Sequence, residues 1–526
     1  MTSKITVSLL DPIGRINPNV YGHFAEHLGG CIYDGVWVGE KSPIPNIGGI
    51  RADQVLGTIS PHLYGHFAEH LGRCIYDGIW VGEGSAVPNE GGIRLDTVEA
   101  LRAIKAPNVR WPGGCFADDY HWEDGIGPRE ERPRRMNLWW GKEEPNHFGT
   151  DEFVRFCRLV GAEPYFCMNV GSGTPFEQKS WVEYCNYVGE THYAQLRKAF
   201  GNPGPHNVTW WAVGNENWGC GGRFQPEEYA KEYRRFACYL RGRGTVPLQL
   251  VGCGHTTPDW NRRFLTALSC WDLIDHLSIH RYYSCGHQTD FTDDDYYGLY
   301  AEASFVDDDI RRTAGALDDI VRSKPIGIVL DEWGVWHPQA ADGLEQINTH
   351  RDALVAAGVL DTLNRWSGRV TMANTAQTIN VLQCVIHTDG ERLWKTPTYH
   401  VFDLYQAHMG NHAVECLVDA PAVTSTRSDG REIDLSLLSA SASVAPNGQS
   451  VALTLTNRSL AEPMAVKLDW VGIDAPGTVT ARVLTADSPA AHNTVEEAEA
   501  VTTRGYEVGG MEVVEVPAMG VVVLQC

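Results

Sequence analysis

From residue 52 onward, short apolar and β-branched runs alternate with segments whose apolar positions recur every three to four residues. The runs at 63–67, 108–112, 164–169, 209–216, 248–254, 276–282, 326–332 and 370–376 have strand length and read as eight strands. The intervening segments carry helix signals. In 226–241, Pro226 occupies the first turn with Glu227 and Glu228 beside it, which sets negative charge at the positive end of the helix dipole. A second amphipathic segment, 305–322, leads directly into the seventh run. Eight strands alternating with helices predict an α/β fold, a (β/α)8 TIM barrel with long loops, with a doubly wound sheet as the competing arrangement. Past about residue 410 the helical spacing stops. Alternating runs at 451–456 and 511–516, set between Gly, Pro, Asn and Asp, predict a C-terminal all-β sandwich of jelly-roll type. The alternating segment 5–10 is expected to add a strand to it, since chain ends often lie close together.

An internal repeat interrupts this plan. Residues 17–51 recur at 60–94, with YGHFAEHLG and CIYDG common to both copies. Two copies are too few for a solenoid, whose units stack in threes or more. Counting both YGHF runs would give nine strands, so one copy is surplus to an eight-stranded barrel. The expected organisation is a strand-bearing N-terminus at 1–16, a duplicated insertion at 17–51, a barrel at 52–410 and a sandwich at 411–526.

Composition narrows the partners. The chain has 43 basic and 66 acidic residues, a net charge of −23, and such a surface repels phosphate backbones and anionic membranes. No window reaches the ~20 consecutive apolar residues of a membrane helix. The first apolar run is broken at Asp11 and Pro12 with no cleavage site after it, so a cytoplasmic location is expected. Fourteen cysteines occur without a C-x-x-C pair. They suggest neither a zinc ribbon nor a thioredoxin-type site, and most are expected to be reduced, buried small hydrophobes.

In a barrel of this kind, polar residues at the C-terminal ends of strands face the active site. Asn169, Asn215, Glu216, His280, Asp331 and Glu332 each follow an apolar run abruptly. A lone Glu in such a place is usually a solvated loop carboxylate. Two that leave core strands and converge over one pocket are what glycoside hydrolysis requires, one donating a proton and one acting as nucleophile or base. Trp111, Trp122, Trp218, Trp333 and Trp336 lie near strand ends, where indoles stack on sugar faces or fill the core. HFAEH, at His23–His27 and His66–His70, matches the H-x-x-E-H zinc signature, but that chemistry needs a helix and here the string follows a β-like run. The Gly-rich pieces 112–114 and 219–222 lack the spacing of phosphate loops. No cofactor and no metal are expected.

With these residues assembled, the chain resembles the α-L-arabinofuranosidases of glycoside hydrolase family 51. The matching strings are YGHFAEHLGRCIYDGIWVGE (64–83), RWPGGCFADDYHWEDGIGPRE (110–130), NHFGTDEF (146–153), NVGSGT (169–174), VGNENWGCGG (213–222), DEWGVW (331–336) and MANTAQTINVLQ (372–383). The resemblance implies exo-acting hydrolysis of arabinose-containing oligosaccharides with retention, Glu216 as acid/base and Glu332 as nucleophile. Retention requires the two carboxyl groups about 5–5.5 Å apart. It further implies that Glu69, Cys115, Asn215 and Gln383 hydrogen-bond the furanose, that Tyr282 holds the nucleophile, that His280 lines the site and that Trp336 forms an aromatic wall. Cys115 stands where relatives carry Asn, and Arg281 and Tyr283 depart from the pattern. The family spacing assigns Glu69 of the second copy, not Glu26 of the first, to the site. A homo-oligomer, a hexamer, is also implied. Other retaining glycosidases, such as a β-xylosidase or an endoglucanase, and a silent carbohydrate-binding protein are the competing readings.

Overall fold

The computed structural model describes residues 49–526 except 241–243, 342, 473–478 and 509–511. The expected strand at 5–10, the first repeat copy up to residue 48 and Glu26 lie outside the described residues.

Eight parallel strands close a barrel: β1 (Gly65–Phe67), β2 (Asn108–Trp111), β3 (Glu163–Met168), β4 (Trp210–Val213), β5 (Gln249–Cys253), β6 (His276–Tyr283), β7 (Gly327–Val335) and β8 (Val370–Ala376). Each predicted run supplies one strand, and the second repeat copy supplies β1. That strand is short because Pro61–Tyr64 forms a 3₁₀ turn, with Ser60 Oγ accepting the His62 N–H. Asn374 of β8 pairs with Gly65 of β1 to close the ring.

Alternation along each strand sorts side chains between two layers. Tyr165 and Cys167 join Ala212, Val251, Val329 and Met372 inside the barrel, whereas Phe166 and Met168 join the larger cluster between strands and helices. On β2 the same rule sends Val109 and Trp111 outward and Arg110 inward.

The C-terminal region is a mostly antiparallel eight-stranded sheet covered by a ribbon of Met464–Lys467 and Val513–Val516. Ile50, Leu453, Leu455, Val514, Val516, Val522 and Leu524 fill the space between them. Gly49–Thr58 belongs to this sheet, antiparallel to His412–Leu417. The barrel therefore begins after Thr58 rather than at residue 52, and the last three residues of the 17–51 segment fall in the sheet. Register shifts between Arg51 and Val55 and between Val55 and Gly57 break the alternation that would have marked this strand in the sequence.

The sheet's other face lies on the barrel helix His350–Arg365. There the buried carboxylate of Asp361 accepts from Ser439 Oγ (2.5 Å), Ser441 Oγ (2.8 Å) and Tyr405 OH (2.8 Å). Asp361→Ala strands these hydroxyls without their acceptor and opens a void. The expected cost is about 2–4 kcal/mol of unfolding free energy, read from the midpoint of urea melts.

Candidate active site

The site is built on Arg110. An arginine that β2 points into a barrel must find anions there, and it is fully buried. Its Nη1 donates to Glu332 Oε1 (2.7 Å), its Nη2 to Asn215 Oδ1 (2.6 Å), and its Nε lies 3.6 Å from Asp331 Oδ2. Burial alone would lower its pKa, but the negative charges around it, Asp331 foremost, hold it above the ordinary arginine value.

Strict alternation would send Asp331 and Glu332 to opposite faces of β7. The β6–β7 register shifts instead, from Ile279 opposite Leu330 to His280 opposite Glu332, leaving Asp331 as the extra residue of a bulge. A bulge re-aims side chains, and both carboxylates reach Arg110. Asp331 is held by Tyr165 OH (2.9 Å) and Asn374 Nδ2 (3.0 Å). Glu332 accepts from Tyr282 OH at Oε2 (2.8 Å). Burial pushes the Glu332 carboxyl up, yet His280, Arg110 and Tyr282 together hold it below the usual carboxylate range.

Glu216 lies three residues beyond β4, in a loop, with φ 41°. His280 Nδ1 is 2.9 Å from Glu216 Oε1 and 3.6 Å from Glu332 Oε1. One oxygen from each glutamate and the His280 ring nitrogen all lie within 4.8 Å of one another. Burial opposes a charge on His280, but the carboxylates of Glu332 and Glu216 raise its pKa.

Glu69, two residues past β1, lies beside Glu332: a Cβ on Gly114 would stand 3.1 Å from Glu332 Oε1 and 3.5 Å from Glu69 Oε1. Its Oε1 accepts the Phe116 N–H (3.0 Å) and Trp140 Nε1–H (3.2 Å), and its Oε2 accepts Gln377 Nε2–H (3.2 Å). Burial, followed by the nearby Glu332 charge, pushes Glu69 up to about 7 from 4.5. The folded protein therefore keeps a proton on Glu69 between those values that the unfolded chain has lost. Stability contributed there is full below 4.5 and is lost as pH rises through about 7. Glu69→Gln is expected to lose less stability than the parent protein between pH 5 and pH 8, which guanidinium melts at the two pH values check.

The structure brings together most, though not all, of the residues singled out above. Asn215, Glu216, His280, Tyr282, Glu332 and Glu69 converge, and Trp336, 38% exposed, stands edge-on to Tyr282 with ring centroids 5.3 Å apart. Cys115 is bonded to Cys220 in a disulfide, so it has no thiol to offer a sugar hydroxyl. Gln383 is fully buried with both amide ends engaged, Oε1 by the Val335 N–H (2.8 Å) and Nε2 by Asp352 O (2.8 Å). Gln377, not among the residues singled out, reaches Glu69 instead, and its buried Oε1 has no partner among the described residues. Arg110 and Trp140 were also not expected. Trp111, Trp122 and Trp333 are fully buried core residues, whereas Trp218 donates to Gly254 O (3.0 Å) and meets His255 edge-on. Arg281 is paired to the buried Asp309 at 2.6 Å.

The H-x-x-E-H string does not gather its histidines. His66 is buried against Phe402, His70 lies between Glu144 (2.7 Å) and Trp111 Nε1–H (3.0 Å), and Glu69 faces the pocket.

Family models match in two segments, described as the α-L-arabinofuranosidase 1 domain over residues 100–300 and the α-L-arabinofuranosidase C-terminal domain over 331–519. An intracellular exo-α-L-arabinofuranosidase of Bacteroides ovatus is 37% identical over 97% of this chain and 93% of its own. The crystal structure of the family 51 arabinofuranosidase of Xanthomonas axonopodis pv. citri superposes with a TM-score of 0.86 at 36% identity, covering 91% of this chain and 99% of that one. The α-L-arabinofuranosidase of Thermotoga maritima, solved with arabinose, gives 0.82 at 34% identity over 91% and 98%. With a shared fold and this identity along nearly its whole length, the chain belongs to the α-L-arabinofuranosidases of glycoside hydrolase family 51.

Proposed function

We propose that the protein is a retaining, exo-acting α-L-arabinofuranosidase that removes terminal non-reducing α-L-arabinofuranosyl residues from arabino-oligosaccharides or arabinoxylan fragments. The observation that carries the mechanism is the close approach of Glu216 and Glu332 around His280, within 4.8 Å. An inverting pair stands about 6.5–9.5 Å apart to admit a water.

The two roles follow from the surroundings. Glu332, its side chain 6% exposed and bound to Arg110 and Tyr282, is held as an anion and attacks the anomeric carbon. Glu216, with 20% of its side chain exposed, protonates the departing oxygen. The glycosidic bond breaks as the Glu332 ester forms. Glu216, now a carboxylate, takes a proton from water, which attacks the same carbon and releases Glu332. Two inversions give net retention. Glu69, Asn215 and Gln377 offer hydrogen bonds to the furanose hydroxyls, and leaving such buried groups unpaired penalises sugars that lack them.

Aryl α-L-arabinofuranoside and aryl β-xyloside hydrolysis tests the reading. The arabinofuranoside is expected to be preferred by about 100-fold or more in kcat/KM. Preference for the xyloside makes the protein a β-xylosidase, and a folded protein inert on both is a carbohydrate binder.

A cytoplasmic location is supported by the intracellular Bacteroides ovatus relative and by eleven free cysteines among the described residues. The Cys115–Cys220 disulfide is the feature that a reducing compartment does not favour. No described helix is long and apolar enough to cross a membrane. Family resemblance supports a homo-oligomer, a hexamer, which light scattering measures directly. The described barrel and site are complete with the second repeat copy, which supports the first as a surplus insertion.

A further inference from the structure

The loop that carries Glu216 needs an external hold. Glu216 itself sits in the left-handed region at φ 41°, which disfavours a residue with a side chain. The peptide that enters it, at Asn215, is fixed from a neighbouring loop. Asp118 lies in the 3₁₀ turn Cys115–Asp119 that follows β2 and is 4% exposed. Its Oδ2 accepts the Asn215 N–H (3.0 Å), and its Oδ1 accepts the N–H groups of Val170 (2.8 Å) and Gly171 (2.9 Å) beyond β3. Its backbone carbonyl accepts from Ser172 N–H (3.0 Å) and Ser172 Oγ (3.2 Å). One residue thus binds the loops after β2, β3 and β4.

The packing around this carboxylate leaves no slack. A Cβ on Gly221 would stand 2.4 Å from Asp118 Oδ2 and 2.1 Å from Asn215 O, and one on Gly171 would stand 2.7 Å from the Asp118 carbonyl oxygen. Both loops approach this closely because both residues are glycine. The Cys115–Cys220 bond ties the same two loops a second time, on the far side of Glu216 in sequence. Glu332 is held by Arg110 and Tyr282, and Arg110 also reaches the Asn215 side chain, whereas Asp118 holds the Asn215 peptide.

We propose that Asp118 is a positioning residue for proton donation: by fixing the Asn215 peptide against the β2 and β3 loops, it aims the Glu216 carboxyl at the leaving oxygen. The inference rests on Glu216 being the acid/base. Both carboxylate oxygens of Asp118 are taken by backbone N–H groups, so it acts through the backbone. Asp118→Asn keeps the shape but replaces either the oxygen facing Asn215 N–H or the one shared by Val170 and Gly171 N–H with an NH₂ that cannot accept.

A leaving-group comparison isolates this role from a general structural one, because kcat/KM reports the first step and only poor leaving groups need the proton. In Asp118→Asn, kcat/KM for phenyl α-L-arabinofuranoside is expected to fall by about 30-fold or more, and that for the dinitrophenyl glycoside to stay within about threefold. Equal losses on both substrates, or no loss on either, overturn the proposal. Asp118→Ser, whose hydroxyl still accepts one N–H, replaces Asn in the comparison where Asn fails to fold. If neither variant folds, Asp118 is a folding residue and the proposal falls. Glu216→Ala runs alongside. Should it lack the selective loss on the phenyl substrate, the acid/base reading itself is wrong; should it show that loss while the Asp118 variants do not, only the positioning role is lost.

Discussion

Glu332→Ala is expected to lower kcat/KM on an aryl α-L-arabinofuranoside by on the order of 10⁵-fold, with the folded state retained. No neighbouring group can take over. Asp331 is engaged by Tyr165 and Asn374, Glu69 is held by three donors and pushed up to about 7, and Glu216 lies across His280. The loss is chemical, so a small anion in the emptied space should reverse part of it. Azide is expected to restore turnover and to give the β-L-arabinofuranosyl azide, since a single displacement inverts the anomeric carbon. Formation of the α-azide, or activity within about tenfold of the parent, would mean that another group is the nucleophile.

Arg110→Met is the second large effect. The guanidinium is the cation shared by two buried carboxylates, at 2.7 Å from Glu332 and 3.6 Å from Asp331. Removing one partner of a buried ion cluster costs about 3–5 kcal/mol, because the remaining charges lose their compensation and not merely a bond. Activity should fall as well, since Asn215 and Glu332 both lose the donor that orients them. The sign with pH is specific. Without Arg110, the folded-state pKa of Asp331, which burial already holds above its ordinary value, rises further, and that of Glu332 rises from its lowered position, so more stability is lost as pH rises. The deficit against the parent protein is therefore larger at pH 8 than at pH 5, a difference that urea melts at both values measure.

The barrel strands are legible in the sequence because parallel strands, buried on both faces, leave near-continuous apolar runs. Glu216 and Glu332 are legible for the same reason, each interrupting or following such a run. Arg110 carries a signal of its own kind, a charge within the apolar run NVRWP, which only a buried anion could balance. Gln377 and Gln383 stand six residues apart in one string, and nothing local distinguishes them. Only the fold shows that Val335 and Asp352 consume one amide while the other faces Glu69. The Cys115–Cys220 pair spans 105 residues, a separation at which spacing says nothing of pairing. The strand Gly49–Thr58 hides behind its bulges. In Leu438–Val444 the alternating serines have the pattern of a solvated face, yet Ser439 and Ser441 are buried on Asp361, a long-range contact that periodicity does not encode.

The covalent arabinosyl ester on Glu332 is open to direct observation. In Glu216→Ala, a dinitrophenyl α-L-arabinofuranoside forms the ester without acid assistance, but water then lacks its base, so the intermediate accumulates. Mass spectrometry of the quenched, peptic-digested protein is expected to find one pentosyl group, on the peptide that contains Glu332. A pentosyl group on Glu69 or another carboxylate, or arabinose released with no labelled protein at any time after mixing, would mean that Glu332 is not the nucleophile.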